Sequence, residues 1–208
     1  MCAVFGFLDY GKKVNHKVLV KLINELAKAA EIRGTDATGI SYVNNGNMVT
    51  YKTPKPAHQV NLYFPKETTA VIGHTRMTTQ GSENKNYNNH PFEGRTAESC
   101  FSLAHNGVLY NDKELRVKNN IPETEIETDS YIAVQLLEQN ENVDTDSIKK
   151  MAEEYGSDPS DMKAAIGPSI CQDCYEVSLD VIEEFKNVFD QSPKLIPIVL
   201  ASLIRPQF

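Results

Sequence analysis

Apolar and polar residues follow two different rhythms along the chain, and the change from one to the other marks out its elements. "CAVFGFLDY" is a short, nearly continuous apolar run closed by a turn at Gly11, the pattern of a buried strand. The next stretch, "NHKVLVKLINELAKAAEIRG", sets Leu19, Leu22, Ile23, Leu26 and Ala30 at helical spacing, with Asn15 able to cap the start and Gly34 to end it. "GISYVNNGNMVTYK" holds two strand-like runs about an Asn-Gly, which predicts a hairpin because both residues tolerate the positive φ that tight turns need. Strands are also expected at "TTAVIGHT" and "CFSLAH". Between them, Met77 to Arg95 is polar and almost without period, which predicts a long surface loop.

Downstream, Thr128 is placed to cap a helix "DSYIAVQLLEQ" with Ile132, Val134, Leu136 and Leu137 as its apolar positions, and a second helix, "TDSIKKMAEEY", closes at Gly156. No internal repeat is visible. The pattern changes at "GSDPSD", after which "MKAAIGPSICQDCYEVSLDVIEEFKNVF" reads as strand, Pro-containing loop and amphipathic helix. An apolar tail broken by Pro193, Pro197 and Pro206 follows. The expected division is a main domain over 1–155, a strand-loop-helix appendage over 156–190 and the tail over 191–208.

Composition narrows what this chain can do. With 208 residues, 40% of them hydrophobic, it can bury a sizeable core. A formal net charge of -7 and the absence of dense Lys/Arg clusters argue against nucleic acid or an anionic membrane as partner, which leaves a small molecule as the expected ligand. Four unevenly placed cysteines, Cys2, Cys100, Cys171 and Cys174, do not make a disulfide framework and suggest a reducing compartment. The longest apolar stretch, "LIPIVLASLI", is too short and Pro-interrupted to span a bilayer, and no signal-peptide pattern opens the chain, so the cytoplasm is the expected location.

Chemistry-bearing residues gather in the predicted loops: "RGTDATG" (Arg33 to Gly39), "GHTR" (Gly73 to Arg76), "NNHPF" (Asn88 to Phe92), "HNG" (His105 to Gly107) and "ETDS" (Glu127 to Ser130). Singly, each has a plain structural reading as a helix C-cap, a turn or an N-cap. A cysteine behind the initiator methionine is, by itself, more often a small hydrophobe than a nucleophile. Taken in order from Cys2 to about Glu138, however, the set resembles the class II glutamine amidotransferases, the glutaminase domains of the N-terminal-nucleophile hydrolases.

That resemblance implies an α+β fold, the αββα sandwich, and an assignment of roles. Cys2 is the nucleophile, and once Met1 is removed its own α-amine, titrating at about 7.7–8.0, is the base. Asn106 and Gly107 form the oxyanion hole. The α-carboxylate of L-glutamine falls to Arg76 and its α-ammonium to Asp129, with Thr79 near the bound ligand. Arg33, Gly34, Asp36, Gly39 and His74 shape the pocket. No cofactor is expected, and no metal, because the histidines lack the close ligand spacing of a metal site. Relatives carrying Gly-His-Thr-Arg often have tryptophan where this chain has Met77, which alters the expected cover of the pocket. A separate synthase or acceptor subunit is the implied partner.

The resemblance runs no further than about Glu138, nothing after Gly156 is long enough to be a synthase domain, and the remaining strands of the sandwich are not legible in their expected form. "AAIGPSICQDCYEV" instead resembles a fragment of the laccase-domain or purine-nucleoside-phosphorylase-like proteins, over about Asp158 to Phe189. That family's His and Cys ligand segments are absent here, so the likeness transfers no functional residue. Cys171 and Cys174 form a Cys-x-x-Cys with no second pair. The C-terminal half is therefore atypical, and a truncated or chimeric glutamine-binding module with little turnover is the alternative expectation.

Overall fold

A computed structural model describes residues 2–9, 11–44, 47–97, 100–140 and 143–154, together with the backbone of two further strands at 162–165 and 198–203. Sheet A contains β1 (Ala3–Leu8), β2 (Ala37–Asn44), β3 (Asn47–Thr53) and β4 (Ala70–Arg76), in the order β1-β4-β2-β3 with every neighbour antiparallel. Sheet B contains β5 (Phe92–Arg95), β6 (Cys100–Asn106), β7 (Met162–Ala165) and β8 (Ile198–Leu203), in the order β5-β6-β8-β7. In it β8 runs parallel to β6, while the other pairs are antiparallel.

Strand parity builds the layers, because successive side chains leave a strand on opposite faces. Phe5, Phe7, Ile40 and Val71 turn outward from sheet A onto Leu19, Ile23 and Ala27 of α1 (His16–Ala30). Phe101 and Leu103 turn outward from sheet B onto α2 (Asp112–Lys118), α3 (Tyr131–Glu138) and α4 (Thr145–Glu154), through Leu115, Ile132, Leu136 and Ile148. Each large side chain so buried is worth about 1.5–3 kcal/mol. Between the sheets lies a small apolar cluster, Ala70, Ile72 and Ala104 with Val4 and Leu8 beside them. The layer is also partly polar: Ser102 Oγ donates to Ser41 Oγ at 2.7 Å, and Ser41 meets Thr50 Oγ1 at 2.6 Å. The result is the expected α/β/β/α order of layers.

Several local expectations need correction. Asn15 does cap α1, its side chain accepting from Lys17 N–H at 2.9 Å. Gly34 ends the helical segment, but as the extended C-cap (φ −166°) of a 3-10 turn (Glu31–Arg33) that follows α1, its N–H donating to Glu31 O at 3.0 Å. Its missing side chain serves packing: a Cβ there would lie 2.6 Å from the carbonyl carbon of Arg76. Thr128 does not cap α3 through its side chain, as its buried Oγ1 has no hydrogen-bond partner and Ser130 occupies the N-cap. The segment from Met77 is not a surface loop throughout. Its end, Asn88, Asn89 and His90, is buried between the layers, and Phe92–Arg95 forms β5.

Gly39 explains how that segment gets inside. It sits opposite His74 in the β2–β4 register, and a Cβ on it would lie 2.2 Å from the His90 carbonyl oxygen. The short α2 has only Leu115 buried, so its pattern is too brief to read from sequence. The strand expected at the start of "MKAAIGPSI" is present as β7, and the stretch read only as an apolar tail contains β8. Gly11 and Gly156 differ: Gly11 is a described turn residue, whereas Gly156, the Asn45-Gly46 link, Cys171, Cys174 and the helix expected before residue 190 lie outside the described residues.

Candidate active site

The site is assembled where β1 begins and β4 and β6 end. Ala3 pairs with Thr75, so continuing the register carries Cys2 alongside Arg76 and Met77. There the Met77 N–H donates to Cys2 Sγ at 3.4 Å, and Sγ–H lies 3.5 Å from the Met77 carbonyl oxygen. Burial pushes the Cys2 thiol pKa up, against the Met77 N–H and the Arg76 charge, which favour thiolate, while Asp129 opposes it. The neutral thiol is therefore the favoured form. Arg33 fixes the backbone of Cys2, its Nε donating to Cys2 O at 3.2 Å.

Asp36 holds the turn after β4. Its N–H donates to Arg76 O at 2.9 Å, and its Oδ2 accepts from Thr78 N–H at 2.6 Å. Arg76 is nearly buried, and its guanidinium is oriented by the following loop: Nη1 donates to Asn89 Oδ1 at 2.7 Å and Nη2 to Gln80 O at 2.5 Å. Burial lowers its pKa, opposed by the charges of Cys2, Glu83, Asp36 and Asp129, so these groups share one electrostatic neighbourhood. Thr79 is exposed on the same loop, as is Met77, whose side chain is 41% exposed beside the thiol.

From the other sheet, β6 delivers Asn106 and then Gly107, both half-buried. They emerge beside Arg76 because His74 Nε2–H donates across the sheets to His105 O at 3.1 Å, one residue before Asn106 and two before Arg76. His74 stacks on His90 with ring centroids 4.2 Å apart, and His105 Nδ1 meets Ser130 Oγ at 2.8 Å. Burial pulls the pKa of His74 down to about 3 and that of His105 to about 4, with His90 also well below its usual value. All three are neutral spacers at physiological pH. Asp129 accepts from Leu109 N–H at 2.6 Å through Oδ2, which pins the chain just past Gly107. Burial raises its carboxyl pKa, the Leu109 and Ser130 N–H groups opposing the shift.

The structure therefore gathers Cys2, Arg76 and Asp129 within mutual electrostatic reach, with Arg33, Gly34 and Asp36 holding the backbone of Cys2 and of the β4 end. Sequence reasoning gave Met77 a side-chain role only; its backbone grip on the thiol has no sequence signal, since any residue supplies it. Asn88, Asn89 and Glu127 were visible as polar residues but carried no role.

Two facing sheets, each covered by helices on its outer side, make the sandwich fold of the N-terminal-nucleophile amidotransferases. Solved structures agree on the fold: glutamine phosphoribosylpyrophosphate amidotransferase from B. subtilis superposes with a TM-score of 0.54 at 19% identity, over 74% of this chain and 32% of that one. A structure described as the allosteric regulatory enzyme of purine biosynthesis superposes with 0.58 at 20%, over 74% and 33%. Residues 15–158 match the family "Glutamine amidotransferases class-II", and the chain belongs to that family. Glutamine–fructose-6-phosphate aminotransferase (isomerizing) of Bacillus cereus is 33% identical over 143 residues, covering 67% of this chain and 22% of that protein. The Staphylococcus aureus enzyme of the same name is 33% identical over 150 residues, covering 68% and 23%. The chain thus spans less than a quarter of the length of these relatives.

Residues 139–199 match a second family, "Multi-copper polyphenol oxidoreductase laccase". That stretch contains no histidine, a usual copper ligand, so its donor set does not fit a copper site. Among the described residues no group of three or more His, Cys, Asp or Glu is placed to hold a metal, and no helix is long and apolar enough to cross a membrane.

Proposed function

We propose that the chain is a glutaminase domain that releases ammonia from L-glutamine through a Cys2 thioester. The observation that carries this is the thiol seated on the Met77 backbone, within the field of both Arg76 and Asp129. A cation and an anion flanking one nucleophile suit the carboxylate and ammonium of an amino-acid substrate.

In this reading Met1 is removed and the freed α-amine of Cys2 takes the thiol proton. The sulfur attacks the γ-amide carbon, and Asn106 and the Gly107 N–H stabilise the oxyanion, each such donor being worth about 100- to 1000-fold in rate. Collapse of the tetrahedral adduct breaks the C–N bond as the α-ammonium returns its proton to the leaving nitrogen. Ammonia departs, and water hydrolyses the thioester to glutamate. Thr79 lies on the loop that covers the bound ligand. The partner in this reading is a separate synthase or acceptor subunit that uses the ammonia. No cofactor, metal or nucleic acid takes part, and the domain works in the cytoplasm. Main domain, appendage and tail are assigned to 1–155, 156–190 and 191–208.

The test is ammonium release from glutamine by Met1-processed protein: turnover that disappears in Cys2→Ala is expected. The match of residues 139–199 to an unrelated family favours one second reading, a chimeric chain that binds glutamine and turns it over poorly. Saturable glutamine binding without ammonium release would select it.

A further inference from the structure

Arg76 and Asp129 belong to opposite halves of the sandwich, one ending β4 of sheet A and the other preceding α3 on sheet B. Two consecutive, fully buried side chains connect them. Asn89 faces the arginine, its Oδ1 accepting from Arg76 Nη1 at 2.7 Å while its Nδ2 donates to Glu83 O at 2.8 Å and Asn86 Oδ1 at 3.1 Å. Asn88 faces the other way. Its Nδ2 donates to Glu127 Oε2 at 2.8 Å and to Ser82 O at 3.1 Å, and its Oδ1 accepts from Glu127 N–H at 2.9 Å. The Glu127 carboxylate also takes Lys85 Nζ at 2.5 Å and Ser82 N–H at 3.4 Å. Glu127 is two residues from Asp129, whose far side is pinned by Leu109 N–H.

Resting on the glutamine reading, we propose that Asn88, Asn89 and Glu127 are positioning residues that set the distance between the Arg76 guanidinium and the Asp129 carboxylate, and with it recognition of the zwitterionic end of an α-amino acid. The carboxylate and ammonium of such a ligand share one carbon, so their separation is fixed. A site that reads both must hold its two charges at a matching separation. Primary amides with donors and acceptor all engaged are locked in orientation, and the reciprocal Asn88–Glu127 pair resists both sliding and rotation. One anchor ends on Arg76 itself and the other on Glu127, two residues before Asp129, so the loop ties one charged group of the site to the short segment that carries the other.

The test uses two reagents on Cys2 of the full chain: a glutamine analogue with a diazoketone in place of the amide, which carries both α-groups, and iodoacetamide, which carries neither. Saturable inactivation by the analogue is expected in the wild type. Glu127→Ala and Asn88→Ala should raise its half-saturation concentration by about tenfold, the scale of one lost charge-assisted hydrogen bond. Its limiting rate and the iodoacetamide rate should hold within about twofold, and Glu127→Gln, which can still accept from Asn88, should recover most of the affinity. Glu127 is partly exposed, so its variants are expected to fold even if Asn88→Ala does not. Unchanged half-saturation in Glu127→Ala, or equal slowing by both reagents, overturns the positioning role. Iodoacetamide labelling with no saturable analogue labelling in the wild type removes the glutamine reading itself, a separate and recognisable result.

Discussion

Met77 meets the Cys2 thiol with both groups of its peptide backbone, the N–H donating to Sγ at 3.4 Å and the carbonyl oxygen standing 3.5 Å from it. A neutral thiol can use both contacts, and a thiolate only the first. The Met77 backbone therefore accommodates Cys2 as thiol or as thiolate.

Processing is the first consequence. The mature protein should lack one methionine by intact mass, and kcat/KM for glutamine should fall on the acid side with an apparent pKa of about 7.7–8.0, the range of an α-amine. Full activity with Met1 retained would rule out the α-amine as base.

Arg76→Ala should weaken glutamine binding by about 1.5–3 kcal/mol, the worth of a hydrogen bond to a charged group. Arg76→Lys should recover little, because a single ammonium cannot reach Asn89 Oδ1, Gln80 O and a ligand carboxylate with one fork. Calorimetric titration of glutamine into Cys2→Ala protein measures this without turnover, and an unchanged affinity would remove Arg76 from the ligand.

Acid should destabilise the fold through the buried imidazoles. Unfolded histidines bind protons below about pH 6.5, whereas folded His105 resists to about 4 and His74 to about 3. The unfolded state then holds more protons, so stability falls as pH drops from about 6.5 toward 4. Denaturant midpoints at pH 7 and pH 5 should differ accordingly, with the lower value at pH 5; equal midpoints would contradict neutral, buried imidazoles.

Gly39→Ala should cost about 1–3 kcal/mol or more, since its Cβ would overlap the His90 carbonyl at 2.2 Å and backbone must move to admit it. The same movement displaces the segment carrying Asn88 and Asn89. A lower thermal midpoint together with a raised KM for glutamine is the expected pair of effects, and an unaltered midpoint would contradict the packing described.

Cys171→Ser with Cys174→Ser should retain the parent's glutaminase activity, and the purified parent should carry no stoichiometric copper or zinc. Metal found by elemental analysis and lost in the double variant would make the C-terminal segment a site of its own.

Periodicity by itself determined α1 and its Asn15 cap, the β2–β3 hairpin, β1, β4 and β6, because each rests on a local rhythm that a buried face imposes on neighbouring residues. Motif order gave the family, since Cys2, Arg76, Asn106 and Asp129 are particular residue types whatever their distance apart. Tertiary structure decided the rest. That Gly34 is a close-approach residue and Gly39 an opening for His90 depends on backbones far away in sequence. The burial of Asn88 and Asn89 has no period to announce it: polar side chains can enter a core wherever every donor and acceptor finds a partner, and those partners, Arg76 and Glu127, are set in place only when the two sheets come together.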